Sequence, residues 1–277
     1  MAGAAEPIPF ICETCGTQHA PTPGPPERCA ICEDERQYVG WNGQRWTTLD
    51  RLREELRADI RREEQSLLGI GTEPSFAIGQ RALLIQDAGG NVLWDCTALL
   101  DDEIVGAVER LGGLSAIAIS HPHYYTTMVE WSRAFDAPVY LHQADARWVM
   151  RPDPAIVPWD GEQHVLQPGL TLLRLGGHFA GGTVLHWHAA QGGRGALLSG
   201  DIVQVVQDRE WVSFMRSYPN LIPLPGREVE RMVRALEPYE FERVYGAWYG
   251  RVVARDGKRA IERSARRYIE ALERVGD

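Results

Sequence analysis

Residues 116–128 read AIAISHPHYYTTM, and the fold turns on how this stretch is understood. Ala116, Ile117, Ala118 and Ile119 form a short apolar run with β-branched residues, the pattern of a strand covered on both faces. His121 and His123 follow at its end. In extended chain the side chains at i and i+2 share a face, so both imidazoles can turn into one crevice. An isolated H-x-H is short and often accidental, but two further stretches repeat the arrangement. Residues 175–183, LGGHFAGGT, place His178 in a glycine-rich turn between the strand-like segments 170–175 and 183–187. Residues 196–201, ALLSGD, end another apolar run on Asp201. Each candidate ligand thus sits just past a buried strand. Three imidazoles and a carboxylate suit zinc, whereas two of the imidazoles with the carboxylate would equally make a facial triad for non-haem iron.

At these residues the chain resembles the metallo-β-lactamase-fold superfamily, in which an H-x-H-x-D-H motif, a G-H-x-x-G turn and a G-D strand end follow in this order. The resemblance spans residues 75–249. It implies an α/β fold, an αββα sandwich with the metal site at one edge of its two sheets, and it carries His121, His123, His178 and Asp201 over as ligands. Tyr125 and Thr126 stand where the motif has Asp and His, and residues 245–249, YGAWY, stand where a further His is common. All three ligands peculiar to a second metal are therefore missing, and the resemblance implies one metal rather than two.

The activity so implied is metal-dependent hydrolysis of an ester, thioester or phosphoester in a small-molecule substrate. Asp201 would orient the attacking water or bind the metal, and Tyr125 or its neighbour Tyr124 would donate a hydrogen bond to a developing oxyanion. Some superfamily members, such as persulfide dioxygenases, hold one iron through two His and one Asp, so an iron-dependent oxidoreductase is the alternative. A third reading, prompted by the missing second-site ligands, is a non-catalytic descendant with a structural metal.

Four of the five cysteines form a second constellation: Cys12 and Cys15, then Cys29 and Cys32, two C-x2-C pairs. In a reducing compartment this reads as a tetrathiolate metal site rather than as disulfides. The module it would clip, residues 8–40, is too small to hold itself together by apolar burial, and a bound ion supplies the missing folding energy. The wording CETCG and PERCAIC resembles rubredoxin-like knuckles, which makes iron a rival to zinc here. The expected role is a structural clip, or a surface for protein docking or dimer contact. Cys96 is expected to be a small buried hydrophobe.

Along the rest of the chain, Leu49, Leu52, Leu56, Ile60 and Leu67 fall on one helical stripe, so residues 41–72 are expected to be a linking helix and 73–277 the main domain. Strands are expected at 76–78, 82–86, 91–96 and 139–141, and helices from Asp101, from Thr126 or Thr127 to Phe135, over 226–236 and over 258–275. The last helix is expected to turn Ile261, Ala265, Tyr268, Ile269 and Leu272 inward. Trp148, Arg151, Trp159 and Asp160 are candidates for a pocket wall, and Arg216, Tyr218, Asn220 and Trp248 for substrate contacts. His186 and His188 alternate with apolar residues and are read as surface residues, while His142 and His164 are weak ligand candidates.

With 277 residues and 44% apolar content the chain can bury a full core. Its net charge of −9, from 29 basic and 38 acidic side chains, argues against nucleic acid or an anionic membrane as partner. No run of about 18 apolar residues occurs and no charged segment leads into an apolar one near the start, so a membrane span and a signal peptide are not expected, and the expected compartment is the cytoplasm.

Overall fold

The computed structural model describes residues 6–274, which divide into two compact units. The first contains the residues up to Leu141 together with Asp145–Pro158, and the second contains His142–Ala144 and the residues from Trp159 onward.

The first unit is built on a seven-stranded sheet of Arg57–Glu64, Leu67–Glu73, Ala82–Ile85, Val92–Trp94, Ala116–Ala118, Val139–His142 and Ile156–Trp159, paired in chain order. Its early pairs are antiparallel, but Val92–Trp94 runs parallel to Ala116–Ala118, and Ala116–Ala118 parallel to Val139–His142. A parallel pair needs a crossover, and helices Asp102–Arg110 and Met128–Phe135 supply the two. Asp101 caps the first of these, its carboxylate accepting from the Ile104 N–H at 2.8 Å, and Ile104 and Val108 face the core. The central strands are buried along their whole length, which is why they read as continuous apolar runs.

Two expectations fail here. Residues 41–72 are not one linking helix: a helix covers Leu49–Glu55 only, and Arg57–Glu64 and Leu67–Glu73 form a hairpin at the edge of the sheet. Ile60 pairs with Ile70, and Leu67–Glu73 is zipped to Ala82–Ile85. The stripe from Leu49 to Leu67 fits a helical period by coincidence, and sheet pairing overrides it. Residues 76–78 form a turn rather than a strand, with Ala77 and Gly79 at positive φ and the Gly79 N–H donating to the Phe76 carbonyl.

The second unit carries a six-stranded sheet ordered Gln163–Gln167, Leu170–Arg174, Thr183–Trp187, Ala196–Gly200, Arg243–Gly246 and Val252–Val253. Only Ala196–Gly200 and Arg243–Gly246 pair in parallel. Helices Gly226–Leu236 and Gly257–Glu273 pack Val229, Met232, Leu236, Ile261 and Ala265 into a core with Leu173, Val184, Leu197, Phe214 and Val244. Leu272 does not join that core and is exposed, and residue 275, at the expected end of the last helix, lies outside the described residues. His186, expected at the surface, is buried between Tyr239 and Phe241 and bonds the Glu240 carbonyl through Nε2 at 2.9 Å. Thr183–Trp187 is an interior strand buried at every position, so alternation along it does not mark a wet face. Among the described residues no helix is long and apolar enough to cross a membrane.

Candidate metal centres

The cysteine cluster assembles as the spacing requires. Strand Ile11–Cys12 pairs with Trp46–Thr47, and the chain turns back at Gly16, whose N–H donates to the Cys12 carbonyl at 2.8 Å with φ at +79°. A second turn closes with the Glu33 N–H on the Cys29 carbonyl. The four cysteines are free and buried, with Cys12 Sγ 3.5 Å from Cys32 Sγ and Cys15 Sγ 3.7 Å from Cys29 Sγ. Four sulfurs about 2.3 Å from a tetrahedral ion stand about 3.8 Å apart, so the donor set fits a metal. Gln44 Nε2 adds a hydrogen bond to Cys12 Sγ at 3.1 Å, and hydrogen bonds among the thiols, that from Cys15 foremost, draw Cys12 down to about 7.

The second cluster joins four residues far apart in sequence. One ligand atom each from His121, His123, His178 and Asp201 can be chosen so that all lie within 4.8 Å of one another, and all four residues are buried. Three imidazole nitrogens and one carboxylate oxygen are the donor chemistry of a zinc or iron site.

The local structure explains why each side chain is held. His121 lies three residues past the strand Ala116–Ala118 and precedes a 3-10 turn, Pro122–Tyr124, in which Pro122 occupies the first position, where its missing N–H costs nothing. Its ring is anchored from behind. Ser120 Oγ lies 2.9 Å from His121 Nδ1, and both the Ser120 N–H and its Oγ reach Asp95 Oδ1 at 2.8 Å. With the single hydroxyl proton given to Asp95, Ser120 Oγ accepts from Nδ1–H, and this tautomer leaves His121 Nε2 as the ligand atom. Asp95 is buried and holds a left-handed backbone, φ +64°, at the end of Val92–Trp94. Neither Asp95 nor Ser120 is evident as a support residue in the sequence; the only signal is a carboxylate closing a buried strand.

His178 sits in a turn closed by the Leu175 and Gly176 N–H groups, both donating to the Gly182 carbonyl at 2.8 Å. A Cβ on Gly182 would fall 2.7 Å from the Gly176 carbonyl oxygen, so the close return of the chain requires glycine there. His178 Nδ1 lies 3.3 Å from the Met215 carbonyl, which again points Nε2 to the ligand role. Asp201 follows Ala196–Gly200, and the hydroxyl of Tyr218 donates to the Asp201 carbonyl at 2.9 Å while the Tyr218 ring lies 5.7 Å from that of His178. Tyr218, read as a substrate contact, therefore uses its proton to hold the Asp201 backbone. Burial pushes the Asp201 carboxyl up to about 7, a cost that a divalent cation would remove.

The remaining candidates scatter. Tyr125 is buried, and burial with the nearby Asp145 carboxylate raises its phenol well above the ordinary value, so it stays protonated and cannot serve as a base. Thr126, where the family motif has His, is likewise buried, with φ +27°. Arg216 lies half-buried in Met215–Ser217, Asn220 is exposed, and Trp248 is half-buried in the turn after Arg243–Gly246. Arg151 is buried, with its guanidinium committed to Gln18 Oε1 and Glu130 Oε1. Trp148 is buried under the guanidinium of Arg147, and Trp159 between the rings of His142 and His164, while Asp160 is exposed. His142 is further engaged with the Gly161 carbonyl at 3.0 Å.

No protein-family model matches the chain. It is 54% identical over 265 residues to the uncharacterized protein YmaE of Bacillus subtilis (strain 168), an alignment covering 95% of this chain and 96% of that protein. Among solved structures, it is similar to the DIM-1 metallo-β-lactamase exposed to ceftazidime, with a TM-score of 0.59, 14% identity, and coverage of 78% of this chain and 98% of that one. TMB-1 gives a TM-score of 0.60 at 12% identity, covering 78% and 99%. The mono-zinc form of FIM-1 from Pseudomonas aeruginosa gives 0.58 at 14% identity, covering 78% and 97%. Carrying a buried four-cysteine cluster ahead of a metallo-β-lactamase fold, the chain belongs to the same family as Bacillus subtilis YmaE.

Proposed function

We propose that this protein is a metal-dependent hydrolase with a mononuclear centre. His121, His123 and His178 would hold the ion, with Asp201 as neighbour or fourth ligand. The observation that carries this reading is the gathering of three buried imidazoles and one buried carboxylate within 4.8 Å, on a fold shared with metallo-β-lactamases. Tyr125 and Thr126 in place of second-metal ligands support a count of one, and FIM-1 provides a mono-zinc precedent on this fold.

A bound zinc would lower the pKa of a coordinated water toward neutrality and polarise a carbonyl or phosphoryl oxygen. The chain's residues supply the rest. Ser120 and the Met215 carbonyl fix His121 and His178 in tautomers that offer Nε2. Asp201, ionised beside a cation, accepts a hydrogen bond from the attacking water and orients it. Tyr125 remains a neutral donor for the oxygen that gains charge. The substrates we propose are small esters, thioesters or phosphoesters. The cysteine cluster holds a second ion as a structural clip.

Elemental analysis tests this directly. Two ions per chain in the wild type, one lost in His121→Ala, with chelator-sensitive cleavage of an ester, thioester or phosphoester panel, is the expected result. Iron at the histidine cluster with oxygen consumption on a thiol persulfide would replace hydrolysis by the oxidoreductase reading. Tight metal binding with no turnover on either substrate set would leave only a binding protein.

A further inference from the structure

The two clusters are joined by one side chain. Gln80, buried, lies between the turn after Phe76 and the strand Ala82–Ile85. Its amide nitrogen donates to the carbonyl oxygen of Cys15 at 2.7 Å and to that of His123 at 3.1 Å. Both amide protons are thereby spent, one on the backbone of a cysteine-cluster residue and one on the backbone of a histidine-cluster residue. Two carbonyl acceptors require the nitrogen on this side, so the amide orientation follows from the network itself.

The surroundings reinforce the link. Gly16, next to Cys15, has φ +79°, and a Cβ there would lie 3.1 Å from Gln80 Nε2 and 3.5 Å from Thr126 Cγ2, so the knuckle turn closes directly over this amide. The Gln18 N–H donates to the Thr126 carbonyl at 3.0 Å, and the Gln18 side chain shares the Arg151 guanidinium with Glu130. The backbone of residues 15–18 is therefore laid along residues 123–126. A module of about 30 residues depends on its ion for folding, so the position of the Cys15 carbonyl depends on the ion as well.

On the basis of the metal-centre reading above, we infer that Gln80 is a positioning residue through which loading of the cysteine cluster sets the His121–His123 turn for metal binding. Loss of the thiolate ion frees the Cys15 carbonyl, the amide loses one of its two anchors, and the His123 backbone loses its fixed position. Binding at one cluster then strengthens binding at the other by the same factor.

The test uses the full-length protein in four forms: wild type, Gln80→Met, Cys12→Ser with Cys15→Ser, and all three substitutions together. Zinc affinity at the histidine cluster is measured by competition with a chromophoric chelator, and occupancy of the cysteine cluster by the thiolate-to-cobalt absorption of the cobalt-loaded form. Gln80→Met is expected to keep the cysteine cluster loaded while binding the histidine-site zinc about 10–100-fold more weakly. The cysteine variant is expected to weaken it similarly, and the triple variant no further, because both routes remove the same link. Unchanged zinc affinity in Gln80→Met, or additive losses in the triple variant, overturns the coupling while leaving the metal centre standing. A wild type without zinc at the histidine cluster overturns the centre and the coupling together. Hydrogen exchange in the wild type needs no variant: removing the cysteine-cluster ion is expected to raise exchange in residues 121–126 and leave 226–236 unchanged, and unchanged exchange in 121–126 overturns the link.

Discussion

The two candidate centres solve the same problem by opposite means. The cysteine cluster draws its donors from residues 12–32, on two tight turns with only a two-residue strand pair beside them. The histidine cluster draws its donors from residues 121–201, shortly after a buried strand or in a turn next to one. In the first an ion would organise the chain. In the second strand ends and turns present the donors, and polar contacts behind three of them (Asp95 through Ser120 for His121, the Met215 carbonyl for His178, the Tyr218 hydroxyl for Asp201) finish the alignment. The difference teaches which part of the molecule would depend on metal for its shape.

The largest effect is expected at the cysteines. Cys12→Ser with Cys15→Ser forfeits a binding free energy of about 10–16 kcal/mol, the range for structural zinc in small modules. Limited proteolysis should then cut within residues 8–40 while residues 159–274 stay protected; equal cleavage of both would show that the cluster is not a local clip. His121→Ala should remove the other ion and bring chelator-sensitive turnover to background with the far-ultraviolet circular dichroism unchanged. A large loss of folded signal would mean that this cluster, too, organises its surroundings.

Ser120→Ala tests the contacts behind the donors. It leaves His121 Nδ1 without its serine partner, and zinc affinity at the histidine cluster should fall about 10–100-fold, read by chelator competition. An affinity equal to wild type would mean that the strand end alone aims the imidazole. Gly182→Ala is gentler: its Cβ meets the Gly176 carbonyl oxygen at 2.7 Å and Ile202 Cδ1 at 2.8 Å, and crowding of this kind costs about 1–3 kcal/mol, read as a lowered midpoint in urea.

The smallest effect is a pH dependence remote from both centres. Burial lowers the His186 pKa, so the unfolded chain binds its proton more readily than the folded one. The stabilisation is complete above the unfolded pKa of about 6.5 and is lost as pH falls through the lower folded value. Between pH 6.5 and 5 the wild type should therefore lose more stability than His186→Gln; identical slopes would show that the imidazole stays neutral in neither state's favour.

Read from sequence, the cysteine cluster was fully legible, because two C-x2-C pairs are a local pattern and the turns that present them are local as well. The histidine cluster was legible in its donors, because strand-end motifs survive in their own few residues. Its supports were not. Asp95 and Ser120 are separated by 25 residues and meet only because Val92–Trp94 runs parallel to Ala116–Ala118. Tyr218 reads as a substrate contact until the fold sets its hydroxyl on the Asp201 carbonyl. Arg151 reads as a pocket-wall candidate until Gln18 and Glu130 arrive beside it.

Sequence alone determined the α/β class and the residue types of the two candidate clusters, since each rests on short-range pattern and on the chemistry of single side chains. Tertiary structure alone decided that residues 57–73 are a hairpin rather than a helix, that His186 is interior, and that Gln80 spans the backbones of Cys15 and His123. The physical reason is that a period of apolar residues states how much surface must be buried but not against what. Strand pairing and the satisfaction of buried donors are settled between segments that are distant in the chain.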